Sequence, residues 1–453
     1  MQNELFEKEP IHKAYFKMTM PVVLSMIVSL IYNMVDTYFI AQTGNTELVA
    51  GVSLSVPVFT LMIALGDIFG LGGSSVISRL FGQEKHEDGK RVSVFCFYAA
   101  LICGVIVALV MLPLRQPVLH LLGADVDTFP YASQYFTFII LGAPFIIVSY
   151  TPSNLLRAEG FATASMTGTI LGAVINMILD PIFIFELGFG AAGAAIATVM
   201  GNICSDIFFV YYLLKKSHRL SISPRGFFIS YTEIRQIMAI GIPASITNLM
   251  QSLGMALMNR FLIPYGYEKV AAMGIVMKVN MIAVLILVGF AFGAQPLIGY
   301  NYGARNTVRL RKILNFCYGF ECCAALFFSV LLYIGAPALI SWFIEDMSIV
   351  FYGVPMLRMQ QIGTIFVAIV LVTTCTFQSA GKAWGAFLLS VSRQGVMYIL
   401  VILLASSIFG YNGVIISQSV SDIFTAIISV VLFRKGIYHE IYNPKKRDDF
   451  CIF

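Results

Sequence analysis

Long apolar runs, separated by short polar segments, constrain this sequence more than any other feature. Of its 453 residues, 58% are hydrophobic and only 12% are charged, whereas about 25% of the residues of a soluble domain carry a charge. So few charged residues cannot cover the surface of a soluble protein of this size. The composition therefore excludes a soluble enzyme, a disordered regulator and a nucleic-acid-binding protein, and it predicts an all-α, polytopic membrane protein.

A transmembrane helix needs about 20 consecutive, mostly apolar residues. By this measure the apolar runs predict twelve membrane-spanning helices, at residues 14–41, 48–78, 92–113, 130–156, 162–186, 191–214, 234–263, 268–300, 310–334, 350–379, 384–408 and 413–434. Twelve spans of about 22 residues occupy roughly 264 residues. The rest of the chain therefore supplies loops and tails rather than a large soluble domain.

Lysine and arginine are distributed unequally across the predicted spans. Most of the 29 basic residues fall on the side that holds the N-terminus, the C-terminal tail and the central loop; the exceptions are Arg115, Arg260, Lys269, Lys278 and Arg358. The positive-inside rule assigns the basic side to the cytoplasm. We therefore expect a multi-pass protein of the inner (plasma) membrane with both termini in the cytoplasm.

Neither a metal centre nor a disulfide framework is expected. The five histidines lie in connecting segments or near the chain ends, and the eight cysteines lie in apolar runs or in the tail. Cysteines in such positions usually act as small apolar residues. The sequence therefore predicts no cofactor, and it leaves small ions as the remaining possibility for a bound group.

The sequence repeats itself weakly at an offset of about 220 residues. Gly190-Ala191-Ala192-Gly193, for example, aligns with Gly410-Tyr411-Asn412-Gly413. Six spans per repeat give both halves the same direction, which makes them parallel repeats about an axis along the membrane normal. The expected divisions are an N-lobe (1–214), a cytoplasmic linker (215–233), a C-lobe (234–434) and a cytoplasmic tail (435–453). Two parallel six-helix lobes are the usual architecture of an alternating-access carrier.

Ionisable side chains inside the predicted spans are candidates for function, because a charge within a bilayer is costly. Asp36 lies in span 1 and Asp180 in span 5, where Asn176 precedes Asp180 by four residues on the same helix face. Pro181 lacks an N–H group, which leaves the carbonyl of Met177 free and can bend the helix. Carboxylates, an amide and a free carbonyl are suitable ligands for a proton or a small hard cation such as Na⁺.

The two halves of the chain differ in these acids. At the repeat offset, Asp36 aligns with Met258 and Asp180 with about Val401, so the pair occurs in the first half alone. If the acids had a purely structural role, paired to backbone or lysine, we would expect some corresponding acids in both halves. Thr198, in the small-residue span 6, can supply a further hydroxyl to the same site.

Other ionisable residues in the spans have weaker assignments. Asp67 in span 2 can face a cavity between the lobes, and Lys278 in span 8 can either line such a cavity or pair with an acid. Asp206, Glu321 and Asp422 are more simply explained by local hydrogen bonds or packing than by function.

Four segments carry a specific family resemblance. They are Tyr32–Ile40 (YNMVDTYFI), Asn154–Gly160 (NLLRAEG), Leu179–Pro181 (LDP) and Gln295–Ala304 (QPLIGYNYGA). They resemble characteristic segments of the multidrug and toxic compound extrusion (MATE) family, and the resemblance extends over essentially the whole chain. It implies a V-shaped fold of twelve helices and no enzymatic activity. It also implies a monomeric antiporter that exports amphipathic, often cationic compounds against H⁺ or Na⁺ through alternating access.

The resemblance also implies roles for individual residues. In the family, acids of spans 1 and 5 form a cation site in the N-lobe together with a nearby asparagine and threonine. The matching residues are Asp36, Asn176, Asp180 and Thr198. Tyr32 and Asn154 are lesser candidates in the same lobe, and Pro21 holds the position at which the first span of the family bends.

One family pattern is absent from this sequence. NorM-like members carry a glutamate in span 7 and an aspartate in span 10, whereas this chain has Gln251 at the first position and no acid in span 10. Gln251 is therefore a candidate for lining the substrate cavity rather than for binding an ion. The chain resembles the DinF-like branch better, and an ion site of the NorM-like kind is not expected in the C-lobe.

Three alternatives remain open at this point. A lipid-linked saccharide flippase of the same superfamily would need a broad cationic cavity for a pyrophosphate group. Only Lys278 is clearly intramembrane and cationic in this sequence, which argues against the flippase. An ion-coupled importer would differ in the direction of transport. An intramembrane enzyme would need a histidine, a serine–lysine pair or paired acids beside a substrate cleft, and the spans contain no histidine.

Overall fold

The computed structural model describes residues 2–344 and 346–442, and in these ranges it contains helices and no β-strand. The first ten α-helices are α1 (Gln2–Glu7), α2 (Ile11–Gln42), α3 (Thr46–Leu54), α4 (Val56–Gly82), α5 (His86–Met111), α6 (Arg115–Leu121), α7 (Phe129–Leu141), α8 (Ala143–Glu159), α9 (Ala162–Pro181) and α10 (Gly190–Lys215). They are followed by α11 (Tyr231–Leu262), α12 (Tyr267–Gly303), α13 (Thr307–Phe343), α14 (Met347–Ala380), α15 (Ala383–Val391), α16 (Met397–Phe433) and α17 (His439–Tyr442). The predicted all-α fold is therefore confirmed.

Nine described helical segments are long and apolar enough to cross a membrane, or ten if the bent pair Phe129–Leu141 and Ala143–Glu159, with 52° between its halves, is one span. Two features account for the difference from the twelve spans predicted. Polar residues such as Asn248 and Gln251 interrupt α11, which covers predicted span 7 and is not among the nine. The segment Ala383–Tyr442 counts once, although it covers predicted spans 11 and 12.

The chain reverses direction near Gly410, which separates these last two spans. Gly410 has φ +55° and ψ −130°, a conformation that glycine adopts at little steric cost. Arg393, before the reversal, forms an ion pair of 3.1 Å with Asp422, after it. In one continuous helix these residues would lie about 43 Å apart, at 1.5 Å per residue. The segment is therefore a helical hairpin that contains both predicted spans.

The described residues form two compact units. The N-unit comprises residues 24–245, and the C-unit comprises the described residues before Leu24 and after Ser245. The boundaries lie inside α2 and α11, so each of these helices contributes residues to both units. The N-terminal part of α2 belongs to the C-unit, and the N-terminal part of α11 belongs to the N-unit.

Glycine residues hold these two helix parts close to their neighbours. In the C-unit, a β-carbon on Gly293 of α12 would collide with the backbone of Thr19 on α2. In the N-unit, a β-carbon on Gly241 of α11 would collide with the carbonyl of Ile68 on α4. Small residues at helix contacts allow this close packing in membrane proteins, where apolar burial between helices supplies little driving force.

Each unit has its own buried apolar core. The core of the N-unit includes Phe136, Ile140 and Ile147, from α7 and α8. The core of the C-unit includes Met258 from α11 and Met356 from α14. These cores hold the helices that carry the buried polar residues described next.

Candidate functional site

Two buried polar side chains of α9 form the centre of the candidate site. Asn176 and Asp180 lie four residues apart on α9, and only 2% and 0% of their surfaces are exposed. Pro181 ends the helix and is followed by the π-helical segment Ile182–Glu186. Because proline has no N–H group, it removes a regular helical hydrogen bond, and the helix changes its geometry directly beside Asp180.

Thr198 of α10 lies opposite Asn176. Nδ2 of Asn176 donates a hydrogen bond of 3.3 Å to Oγ1 of Thr198, which itself donates to the carbonyl of Ala194 at 3.0 Å. Gly172 and Gly201 lie against each other one turn away, which allows α9 and α10 to approach closely. The small residues of the predicted span 6 therefore place this hydroxyl beside the amide.

Asp36 of α2 completes the group. Its carboxyl group lies beside the carboxyl group of Asp180, close enough for the two to interact directly. Tyr32, one turn earlier on α2, lies beside Thr198 and close to both aspartates. Tyr135 of α7 also lies close to both aspartates, and nothing in the sequence pattern marked it as part of the site.

Several acceptor atoms at this site have no hydrogen-bond partner among the described residues. They are Oδ1 of Asp36, Oδ1 of Asn176 and both carboxylate oxygens of Asp180. Ionised carboxylates only accept hydrogen bonds, so a bond between Asp36 and Asp180 requires a proton on one of them. Buried acceptors that converge in this way are suited to a proton or to a hard cation such as Na⁺. The arrangement fits the predicted group of Asp36, Asn176, Asp180 and Thr198.

Asn154 and Asp67 belong to a different group of residues in the N-unit. Asn154 donates from Nδ2 to the carbonyl of Tyr150 at 2.7 Å, and its Oδ1 accepts from Arg157. Asp67 of α4 lies close enough to Arg157 and Tyr150 to interact with them electrostatically. The structure therefore brings these two predicted residues together around an arginine, and not with Asp36.

Three other predicted residues lie in the C-unit. Gln251 on α11 and Lys278 on α12 are exposed positions of their helices. Pro21 lies inside α2, which runs without interruption from Ile11 to Gln42. None of the three residues is within the group formed by Asp36 and Asp180.

Two buried acids have structural partners that the sequence did not reveal. Glu159, at the end of α8, accepts from Oγ of Ser217 at 2.5 Å and from the backbone N–H groups of His218 and Arg219 at 3.3 Å each. Asp422 pairs with Arg393, which counting of charges had grouped with the basic side of the loops. The position of Arg393, nine residues inside predicted span 11, could have indicated a buried acidic partner.

The described residues contain no group of three or more His, Cys, Asp or Glu that could hold a metal ion. Such groups are typical of transition-metal centres. The group around Asp36 differs from them, because its oxygen atoms come from two carboxylates, an amide and a hydroxyl.

Comparisons with known proteins give one consistent result. The MatE family model matches residues 21–182 and 243–404, which also correspond to the two repeats. The multidrug export proteins MepA of Staphylococcus saprophyticus and of Staphylococcus aureus strain MRSA252 are each 30% identical to the chain, over 437 and 431 residues, and the match covers 94% of both partners. A crystal structure of MATE in complex with MaD3S matches with a TM-score of 0.90 at 28% identity, over 95% of this chain and 97% of the other.

The family model covers well over half of the chain, and the solved structure shares its fold along nearly its whole length. The resemblance in the four sequence segments is thus confirmed across both repeats. The chain belongs to the MatE family of multi-pass membrane transporters, and it is not an enzyme.

Proposed function

We propose that this protein exports amphipathic, often cationic compounds in exchange for H⁺ or Na⁺ through alternating access. The observation that carries the proposal is the group of Asp36, Asn176, Asp180 and Thr198, in which buried acceptor atoms of the first three residues have no described hydrogen-bond partner. The relatives named multidrug export protein MepA support the class of substrate. The coupling ion is the only bound group that the proposal requires.

The electrostatic repulsion within the aspartate pair gives the empty site its affinity for a cation. Two ionised carboxylates in a weakly solvated site repel each other, because the surroundings screen their charges poorly. A proton or Na⁺ that enters from outside removes this repulsion. The empty, doubly charged state therefore favours the binding of a cation, whether that is the coupling ion or a cationic substrate.

Loading of the site would change the packing of the helices that carry it. Asp36 is on α2, Asp180 on α9 and Thr198 on α10, so one bound ion contacts three helices. We propose that ion binding and substrate binding compete, and that this competition couples entry of the ion to exit of the substrate. A ligand shifts such an equilibrium only as far as its affinities for the two states differ.

The group is compatible with either H⁺ or Na⁺. The two ions would differ in the side chains that they need for binding. A proton needs only the two carboxyl groups, because it can bridge them. Na⁺ would use Oδ1 of Asn176 and Oγ1 of Thr198 as additional oxygen ligands. Removal of the amide oxygen would therefore weaken coupling to Na⁺ more than coupling to H⁺.

The placement in the membrane follows from the distribution of charge. We propose that the protein works as a monomer in the plasma membrane, with both termini in the cytoplasm, where most of its lysine and arginine residues then lie. In this orientation the release of the coupling ion occurs on the cytoplasmic side.

The proposal can be tested with purified protein in vesicles. Export of a fluorescent amphipathic cation would be followed under an imposed pH gradient and, separately, under an imposed sodium gradient. Asp36→Asn and Asp180→Asn are expected to abolish export under the gradient that drives the wild type, and Asp127→Asn, at an exposed loop position, serves as the matched control. Wild-type export rates in both site variants would refute the proposal.

A further inference from the structure

The C-unit contains a buried carboxyl group that the proposed exchange site does not use. Glu321 of α13 has an exposed surface of 0%, and neither of its carboxylate oxygens has a hydrogen-bond partner among the described residues. A charged carboxylate in such a place is strongly disfavoured. The group must therefore be neutral, or it must hold a cation.

Side chains of two other helices, α2 and α14, lie close to Glu321. Tyr15 of α2 has an exposed surface of 1%, and its hydroxyl also has no described partner. Cys375 of α14 is equally buried and lies near Gln295 of α12. Glu321 thus lies in the centre of one helix group, and not at a surface where water could solvate it.

The remaining neighbours are aromatic and supply no oxygen ligand. Tyr15 packs against the rings of Phe316 and Phe320 with centroid distances of 5.1 and 5.4 Å, and Phe320 packs against Phe290 at 4.8 Å. Hard cations such as Na⁺ require several oxygen ligands, which these rings cannot provide. Among the described residues, no lysine, arginine or histidine forms an ion pair with Glu321. The chemistry of the pocket therefore selects a proton.

The titratable groups that face Glu321 are few and neutral. They are the hydroxyl of Tyr15 on α2, the thiols of Cys317 and Cys322 on α13 itself, and the thiol of Cys375 on α14. From α12, Gln295 lies beside Cys375 and Phe290 packs against Phe320. The hydroxyl of Tyr15 is free to donate to the carboxylate when the proton leaves, because no other described group occupies it.

We propose that Glu321 is a second proton-binding site, located in the C-unit and separate from the Asp36–Asp180 pair. In the proposed alternating-access cycle, water reaches Glu321 when the helix packing around it opens. Glu321 then gives up its proton to that water and takes one back before the packing closes, and Tyr15 stabilises the ionised state. The inference rests on the proposed antiport. It places a proton site in the half of the chain that lacks the paired aspartates. Tyr15 is on α2, the helix that also carries Asp36, so the two sites share one helix.

The first test detects the proton itself and requires no transport. Infrared difference spectra of the purified protein between acidic and alkaline buffer report carbonyl bands of protonated carboxyl groups. The wild type should show a titrating band that Glu321→Gln removes and that Glu268→Gln, an exposed position of the same unit, retains. The band of Tyr15→Phe should persist to higher pH, because the ionised state loses its donor. A band that does not titrate would make Glu321 a permanently neutral packing group and would overturn the proposal.

The second test measures the ratio of ions to substrate. Proteoliposomes loaded with tetraphenylphosphonium would be assayed for protons taken up per probe molecule exported. Glu321→Gln keeps the shape of the neutral side chain, and it should lower this ratio by one proton while Glu268→Gln leaves it unchanged. An unchanged ratio in Glu321→Gln would contradict the inference. Absence of probe export by the wild type would contradict the proposed antiport instead, and the infrared result would still decide the state of Glu321.

Discussion

The amide nitrogen of Asn176 donates to the hydroxyl of Thr198 at 3.3 Å, and this contact decides which end of the amide is available to a cation. With Nδ2 engaged, Oδ1 is left as an acceptor without a described partner, and Asp180 lies on the same face of α9. Thr198 is fixed in turn by its own bond to the carbonyl of Ala194. The threonine therefore orients the asparagine as well as offering an oxygen atom of its own.

This relationship predicts that Thr198→Val lowers the affinity for the coupling ion by more than the loss of one oxygen ligand would. Without its acceptor, the amide of Asn176 is no longer held, and coupling-ion affinity should fall by about 10-fold or more, as for other residues that orient ligands. Thr167→Val, on an outward position of α9, removes a hydroxyl that bonds only to the carbonyl of Thr163. The ion dependence of export would be measured for both variants, and equal curves would contradict the orienting role.

The close approach of α9 and α10 predicts that the site tolerates no added methyl group at Gly201. A β-carbon there would lie 2.7 Å from the carbonyl oxygen of Gly172 and 3.1 Å from Cβ of Asn176. Gly201→Ala should lower stability by about 1–3 kcal/mol, the usual effect of overpacking, and it should reduce export. Gly274→Ala is the matched control, because a β-carbon on Gly274 meets no atom within 4 Å. Thermal unfolding in detergent would be measured for both variants. Similar melting temperatures for Gly201→Ala and Gly274→Ala would argue against this packing.

The buried ion pair of Arg393 and Asp422 predicts a strong asymmetry between single and double substitutions. The side chains are only 16% and 6% exposed and lie 3.1 Å apart. Asp422→Asn leaves an uncompensated buried charge, which should cost about 3–5 kcal/mol, whereas replacement of both partners by apolar residues of similar volume should cost much less. Lys17→Met breaks a more exposed pair with Glu9 and should cost about 1 kcal/mol or less. If the three variants unfold at the same temperature, the pair does not stabilise the hairpin.

Glu159 holds the start of the chain segment that follows α10. Its three hydrogen bonds, to Ser217, His218 and Arg219, would be lost in Glu159→Ala, which should cost about 1–3 kcal/mol for the groups left unsatisfied. Trypsin should then cleave faster after the basic residues between 215 and 219. Glu186→Ala, an exposed position, provides the control. Unchanged cleavage rates in Glu159→Ala would show that this glutamate does not hold the segment.

The sequence allowed the fold and part of the site to be predicted for physical reasons. Asp180 and Asn176 could be paired because residues four apart share a helix face, and apolar runs marked most spans because a bilayer demands them. The contact between Asp36 and Asp180 could only be suspected, because it depends on how α2 and α9 pack. Tyr135 could not be found at all, since a tyrosine in an apolar helix has no periodic signal.

Counting lysine and arginine residues gave the wrong environment for Arg393, because a tertiary contact decides where this side chain lies. Arg393 counts as a basic residue near a loop, yet it is neutralised inside the protein by an acid that lies 29 positions later in the chain. The acidic partner, and not the local sequence, makes Arg393 tolerable inside its helix.

Ion and substrate should compete for the aspartate pair, and binding measurements detect this competition without a transport assay. The affinity of the purified protein for tetraphenylphosphonium would be measured by calorimetry at increasing Na⁺ and, separately, at decreasing pH. One of the two ions should raise the apparent Kd of the wild type at least about fivefold, a typical coupling between sites. Asp36→Asn and Asp180→Asn should remove this dependence. A wild-type Kd that is unchanged by both ions, or site variants that keep the full dependence, would contradict competition at the aspartate pair.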